Sequence, residues 1–331
     1  MKFNTTYTPK ISLRKTIQET DRVVSWIVEH YTVNYKAYNV LVPPFLDEND
    51  DMLLNLDEIT RVSTFDFAGN TKTGRALLTP SNWMRDVVFR MNARDKEGVW
   101  ARTDHIWRDL PETPFSTPSR YNLTFQIKLP DDYNLAVEET RKHAAIFYSL
   151  LAKQSAIFDR RYDNNTDFPE VPSFVTAQQM ENEYPDMKSR EKEIEFANEL
   201  NAFIFSKCGK KLYSGHIHTW IPPQVYDLEN FYQIVTRDSV NNEILKVASI
   251  GLLASGEILE DQLMEHNLDT LKTNNFYEKF MKKSYNIVEI KINIGRLMMA
   301  LLQKGHISEV VPGVVSESSE LIKEKYKIEK Y

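Results

Sequence analysis

The sequence predicts an α+β protein, a mostly antiparallel sheet flanked by helices. Two observations carry this. Helical and strand-like patterns alternate irregularly along the chain, without the regular strand–helix–strand rhythm of a parallel α/β sheet. Glycine is scarce as well: ten glycines in 331 residues, about 3% against a usual ~7%, which disfavours repeated glycine-rich phosphate loops.

The first element spans Ser12 to Tyr31, where Leu13, Ile17, Val24, Ile27, Val28 and Tyr31 form one helical stripe behind a serine N-cap. A short buried strand, Asn39-Val40-Leu41-Val42, follows and stops at Pro43-Pro44. Next come an acidic loop from Asp47 to Asp57, a strand from Arg61 to Phe67 and a turn at Ala68-Gly69-Asn70. A helix is expected over Ser81–Met91 with Trp83, Val87, Val88 and Met91 inward. Pro111, Pro114 and Pro118 mark a loop, after which Tyr121–Leu129 alternates as a strand. The strongest central helix is Leu135–Phe158, and a polar connector runs from Asp159 to Pro169. Ser189–Asn201 reads as a helix leading into the buried strand Ala202–Phe205. The end of the chain, Leu321–Tyr331, reads as a frayed helix or a disordered tail.

Composition excludes several classes. Forty-one basic and 47 acidic residues leave a net charge of −6, which argues against broad nucleic-acid or anionic-membrane binding. One cysteine, Cys208, excludes an internal disulfide and an all-thiolate metal site, and a reduced, cytoplasmic setting fits. No stretch approaches the ~18 apolar residues of a membrane span, and the opening residues lack the apolar core of a signal peptide. No Walker loop, dinucleotide fingerprint, zinc-protease helix or nucleophile elbow occurs. His216 and His218 would share a face on a strand, as metal ligands do, but no third ligand is identifiable. Trp100, Arg102, Trp107 and Arg108 could stack on a base, or form half-buried core with a basic rim.

A longer pattern goes further. Phe174-Val175-Thr176, Glu183-Tyr184-Pro185-Asp186-Met187 and the helix Arg190–Leu200 are followed in order by Lys211-Leu212-Tyr213-Ser214-Gly215 and His218. Arg296-Leu297-Met298 then precedes His306-Ile307, with ten residues from arginine to histidine. Together with the opening Pro9-Lys10-Ile11-Ser12 and the strand ending at Pro44, this series resembles ammonia-dependent asparagine synthetase, the aspartate–ammonia ligase family. The resemblance implies the class II aminoacyl-tRNA synthetase catalytic fold over residues 1–315, with a lysine-rich tail over 316–331. It also implies a homodimer through the Ser12–Tyr31 helix and the Asn39–Phe45 strand. In that family ATP and aspartate form an aspartyl adenylate, and ammonia then displaces AMP, with cations and Mg²⁺ holding the phosphates.

The family's site maps onto this chain in part. Arg296 stands where an arginine packs over adenine, and Arg108 lies within a residue of the α-phosphate arginine. Asp51 lies near the substrate aspartate, Asp227 matches one of an acidic cluster, and Glu243 replaces an aspartate as the candidate metal ligand. Other stations are lost. Asn82 stands for a lysine and Gln126 for a strand aspartate, and Gly251-Leu252-Leu253-Ala254-Ser255-Gly256 looks like a segment carrying a metal-binding glutamate and a serine, with both functional groups missing. Ile221 stands for an arginine, and Glu289, Ile290 and Lys291 occupy a glycine-rich approach to the nucleotide. Two readings follow: a diverged member with an eroded site, serving as a binding or scaffold protein for an unidentified partner, or a working AMP-forming ligase on aspartate or another carboxylate.

Overall fold

A computed structural model describes residues 6–47, 49–53, 64–66, 73–77, 79–106, 113–117, 119–166 and 168–312. Helix α1 (Leu13–Tyr35) is followed by strands β1 (Ala37–Asn39), β2 (Phe45–Asp47), β3 (Thr64–Asp66) and β4 (Thr73–Ala76). Helix α2 (Ser81–Arg90), strands β5 (Gly98–Ile106) and β6 (Ser119–Lys128), and the long α3 (Tyr133–Tyr162) come next. Then follow β7 (Phe174–Thr176), α4 (Ala177–Glu183), α5 (Ser189–Leu200), β8 (Ala202–Ser206), β9 (Tyr226–Asp238) and β10 (Glu243–Leu253). Helices α6 (Gly256–Glu265) and α7 (Asn275–Met281), strand β11 (Ile287–Asn293) and α8 (Ile294–Leu302) complete the order.

The main sheet runs β1-β5-β6-β11-β10-β9-β8-β7, antiparallel except at its two edge pairs, β1 with β5 and β7 with β8. It is the α+β, helix-flanked antiparallel sheet expected from the irregular order of elements. Both faces are covered, and alternation along each strand divides them. On β6, Leu123, Phe125 and Ile127 join the core beneath α1, α3 and α8. Thr124, Gln126 and Lys128 turn to the other face, where α2 and α7 pack with an apolar cluster that includes Met84, Val88, Phe231 and Phe280. The first face is mainly apolar, with Thr140 and His143 of α3 buried in it. The second buries polar side chains as well.

Helices begin where local chemistry satisfies their first amides. Asp132 accepts from Leu135 N at 2.9 Å to start α3, and Asn293 accepts from Arg296 N at 2.9 Å to start α8. The latter bond matters because it places Arg296 in the first turn at the end of β11. Helices α1 and α3 are cross-tied by Glu19, buried on α1, which accepts from Tyr162 OH at 2.6 Å and Arg161 Nη1 at 3.0 Å. Burial opposes ionisation of Glu19, but the Tyr162 hydrogen bond and the charges of Arg161 and Arg22 outweigh it and hold the carboxyl below its ordinary 4.5. A depressed carboxyl contributes fully above the unfolded value and is lost as pH falls through the folded one. We therefore expect Glu19→Gln to cost about 2–3 kcal/mol at pH 7 and to flatten the fall in stability below pH 4.5. Parallel pH-dependent denaturant melts of the two proteins would refute this.

Three expectations are corrected. Asn39–Val42 is not one buried strand: pairing with β5 ends just after Asn39, Leu41 is 89% exposed, and β2 begins only at Phe45. Pro43 and Pro44 have no N–H to offer a ladder, so the chain leaves one sheet and joins β4 in a small second one. Helix α2 ends at Arg90, and Met91 turns outward as its C-cap. Helix α3 continues to Tyr162, through the first residues expected to form a connector. The tail lies outside the described residues, as do Asp57 and Arg61–Ser63. Among the described residues, no helix is long and apolar enough to cross a membrane.

Candidate functional site

The polar face of the sheet centres on Glu289. β11 pairs with β6 so that Glu289 sits beside Gln126, and with β10 so that Glu289 sits beside Gly251. The Glu289 carboxylate is buried and fully engaged. Its Oε1 accepts from Ser81 Oγ at 2.9 Å and from the Tyr226 hydroxyl, and its Oε2 accepts from Gln126 Nε2 at 2.7 Å. Lys291, two residues along the same strand and so on the same face, holds its Nζ 3.3 Å from Oε1. That ammonium also donates to Thr79 Oγ1 at 2.7 Å. Burial, then the Glu289 charge, push the Tyr226 hydroxyl well above its ordinary value.

Helix α2 supplies the roof. Ser81, Asn82 and Arg85 lie on its inward side. Asn82 Nδ2 donates to Tyr277 OH and to Met52 O, both at 3.2 Å, and Asn274 Nδ2 donates to Asp51 O at 3.2 Å. These bonds bring Asp51 to the edge of the polar face. Arg85 is fully buried: its guanidinium lies 3.8 Å from the Phe280 ring centre and one Nη2 donates to Ala254 O at 2.6 Å. Burial pushes this guanidinium down to about 9, against the pull of Tyr277 and Glu289.

The neighbouring stations are filled with rings. A Cβ on Gly251 would lie 2.7 Å from Phe231 Cδ2 and 2.8 Å from Tyr226 Cδ1. Gly251 is thus the only residue type that admits those two side chains.

The remaining candidates disperse. Arg296 stands at the start of α8 with its Nε 3.3 Å from Phe115 O. Asp227 turns away from Glu289 and accepts from Tyr133 OH at 2.7 Å and Asn230 Nδ2 at 2.8 Å. With Tyr133, Ser255 and Asn286 it lines a cleft of about 530 Å³. Glu243 sits eight residues from Gly251 along β10, about 26 Å at strand rise, and pairs with Arg190 at 2.8 Å. Arg108 and Trp107 lie outside the described residues. Trp100 packs half-buried against the core and Arg102 is exposed. The two histidines separate: His216 is exposed, whereas His218 is buried 3.6 Å from Glu193, and burial pushes its imidazole down to about 4. Among the described residues, no group of three His, Cys, Asp or Glu is placed to hold a metal ion.

Sequence reasoning named Glu289 and Lys291 only as lost glycines and missed Ser81, Arg85, Tyr226 and Tyr277. One signal was available. In Ile287–Asn293, opposite charges two residues apart interrupt an otherwise apolar strand, which puts a Glu–Lys pair on one face.

A helix-flanked antiparallel sheet whose last strand feeds an arginine into a helix start is the class II aminoacyl-tRNA synthetase fold, and solved structures bear this out. Asparaginyl-tRNA synthetase from Pyrococcus horikoshii, complexed with asparaginyl-adenylate, matches with a TM-score of 0.63 at 10% identity, covering 90% of this chain and 68% of that one. The Entamoeba histolytica asparaginyl-tRNA synthetase matches with a TM-score of 0.62 at 10% identity, over 90% and 67%. At that identity the likeness concerns the fold alone. Residues 14–327 match the family described as aspartate-ammonia ligase, and the chain belongs to that family. Aspartate–ammonia ligases of Fusobacterium nucleatum (24% identical, 94% of this chain and 95% of that protein) and Clostridium tetani (24%, 96% and 93%) are similar along nearly their whole length. So is that of Malacoplasma penetrans, at 23% identity over 89% and 92%.

Proposed function

We propose that this chain is a non-catalytic member of the aspartate–ammonia ligase family, a cytoplasmic binding or scaffold protein. One observation carries the reading: on the polar face, where the family approaches its nucleotide with glycine backbone, stands the Glu289 carboxylate with both oxygens engaged. Lys291 adds a second side chain on that face, and the Tyr226 and Phe231 rings crowd Gly251, which begins the segment where the resemblance implies a metal-binding glutamate. These residues do not fit ATP with Mg²⁺. The acid present is consumed by internal donors, and the approach that needs bare backbone carries side chains. The test is aspartate-dependent AMP release with asparagine detected by mass spectrometry; its absence supports the reading, and its presence favours the working ligase.

The proposal includes a two-fold homodimer through α1 and the segment leading to β2. Val33 at 71%, Tyr38 at 55% and Leu41 at 89% exposure are large apolar side chains in that region, and self-complementary patches close at two. Light scattering at micromolar concentration should give twice the chain mass, and Leu41→Asp should shift the population to monomer. A monomeric wild-type protein would refute the dimer.

A further inference from the structure

We infer that the polar face is a carboxylate receptor which the chain fills with its own Glu289, and that vacating it opens a site for a free small monocarboxylate such as acetate. The inference rests on the reading of this face as internally occupied and names the ligand chemistry of the same site.

Four donors from separate parts of the chain converge on one carboxylate. Ser81 Oγ comes from the start of α2, Gln126 Nε2 from β6, the Tyr226 hydroxyl from the start of β9, and Lys291 Nζ from β11. Lys291 comes from the same strand, but long-range packing delivers the other three, Ser81 from 208 residues away. Such convergence is what a binding site for an anion requires: donors of both charged and neutral kind, aimed at the two oxygens, in a place without competing water.

The Gln126, Ser81 and Lys291 donors each have a second partner, and the Tyr226 hydroxyl, which donates to Glu289, also accepts from Lys291 Nζ at 3.4 Å. Gln126 Nε2 also donates to Ser81 O at 2.8 Å. Ser81 Oγ lies 2.8 Å from Thr79 Oγ1, and Lys291 Nζ lies 2.7 Å from the same oxygen. Removing the carboxylate therefore leaves a cavity whose polar walls keep their second partners. Its electrostatics favour an anion, because the Lys291 ammonium, 3.3 Å from Oε1, then faces the space without Glu289. An empty polar cavity with a cationic wall is costly, and a ligand that restores the lost charge and hydrogen bonds recovers that cost.

Size selects the ligand. Glu289→Ala deletes Cγ, Cδ and the two carboxylate oxygens, and these four heavy atoms have the shape of acetate. Formate fits with space to spare. Pivalate, with three further methyl groups, has no room against the β11 backbone.

The experiment compares thermal unfolding of wild type, Glu289→Ala, Glu289→Gln and Glu289→Ala/Gln126→Leu in acetate, with chloride at matched ionic strength. Glu289→Ala should be less stable than wild type in chloride and rise saturably with acetate, beyond any change in wild type. At roughly 100 times the dissociation constant the rise should reach about 4 °C. Glu289→Gln fills the cavity with a neutral isostere and should not respond. The double variant should need at least tenfold more acetate, and pivalate should not substitute. An acetate response in Glu289→Ala no larger than in wild type overturns the inference, as does an equal response to pivalate. Should Glu289→Ala not fold in chloride, refolding from denaturant in acetate supplies the readout. Recovery supports the inference, and failure to recover while Glu289→Gln folds overturns it. Because the readout is thermal, it is separate from ligase activity: AMP release by wild type would refute the non-catalytic reading and leave the receptor standing.

Discussion

Supplied with aspartate, ammonia, ATP and Mg²⁺, the purified protein should release AMP at no more than about a thousandth of the rate of a family enzyme. The expectation comes from charge inventory. Making an acyl adenylate needs cations and a divalent metal against the phosphates, and acids for the substrate amine and the metal. Where the resemblance places a lysine, this chain has Asn82, and that amide is spent on Tyr277 and Met52. Where it places an aspartate, Gln126 is neutral and its amide nitrogen is held by Glu289. Losing one transition-state donor commonly costs ~10²–10³ in rate. The losses need not multiply, because residues acting as a unit are non-additive, so a thousandfold deficit is the conservative figure. A coupled AMP assay with mass-spectrometric identification of asparagine decides it. Aspartate-dependent turnover near the family's rate would show that Arg296, Asp51 and their neighbours suffice.

The second large effect concerns an attempt to put an acid back into the 251–256 segment. Gly251→Glu should destabilise the protein by more than about 3 kcal/mol or prevent its folding, without producing activity. Its Cβ would meet Phe231 and Tyr226 at 2.7 and 2.8 Å, an overpacking that alone costs about 1–3 kcal/mol. Gly251→Ala isolates that part. The added carboxylate would also be buried across the strand pair from Glu289, and an uncompensated buried charge costs several kcal/mol more. Denaturant melts of the two variants separate packing from charge. A Gly251→Glu protein that melts within a few degrees of wild type would mean that the two rings move aside readily, and the reading of this face as closed would fail.

Much of the architecture was legible locally. The alternation Leu123-Thr124-Phe125-Gln126-Ile127 marks a strand with one apolar and one polar face, and it is one. The stripe from Leu13 to Tyr31 marks a helix because apolar residues recur at its period, although the face it buries runs through Thr16, Glu19, Thr20, Val23, Ile27 and Tyr31 and leaves Ile17 exposed. These features depend on neighbours a few residues away, so a linear sequence contains them. The aspartate–ammonia ligase family and its class II fold were legible too, through motifs in a shared order.

The site was decided elsewhere. Tyr226 and Phe231 are five residues apart, an odd interval that regular alternation would send to opposite faces. Both nevertheless crowd Gly251, because a register shift opposite Gly251 and Leu253 turns β9 between them. The irregular stretch holding Tyr226 toward Glu289 leaves Asp227 aimed at Tyr133. Tyr226 and Asp227, adjacent in sequence, therefore serve different faces. Glu289 itself reads as a lost glycine until α2, β6 and β9 bring Ser81, Gln126 and Tyr226 to its two oxygens. Sequence by itself determined the helices α1, α2, α3 and α5, the alternation of β6 and the family, since periodicity and ordered motifs are properties of the chain. Only the tertiary structure decided which charges meet, because a buried carboxylate is defined by donors that long-range packing alone can deliver.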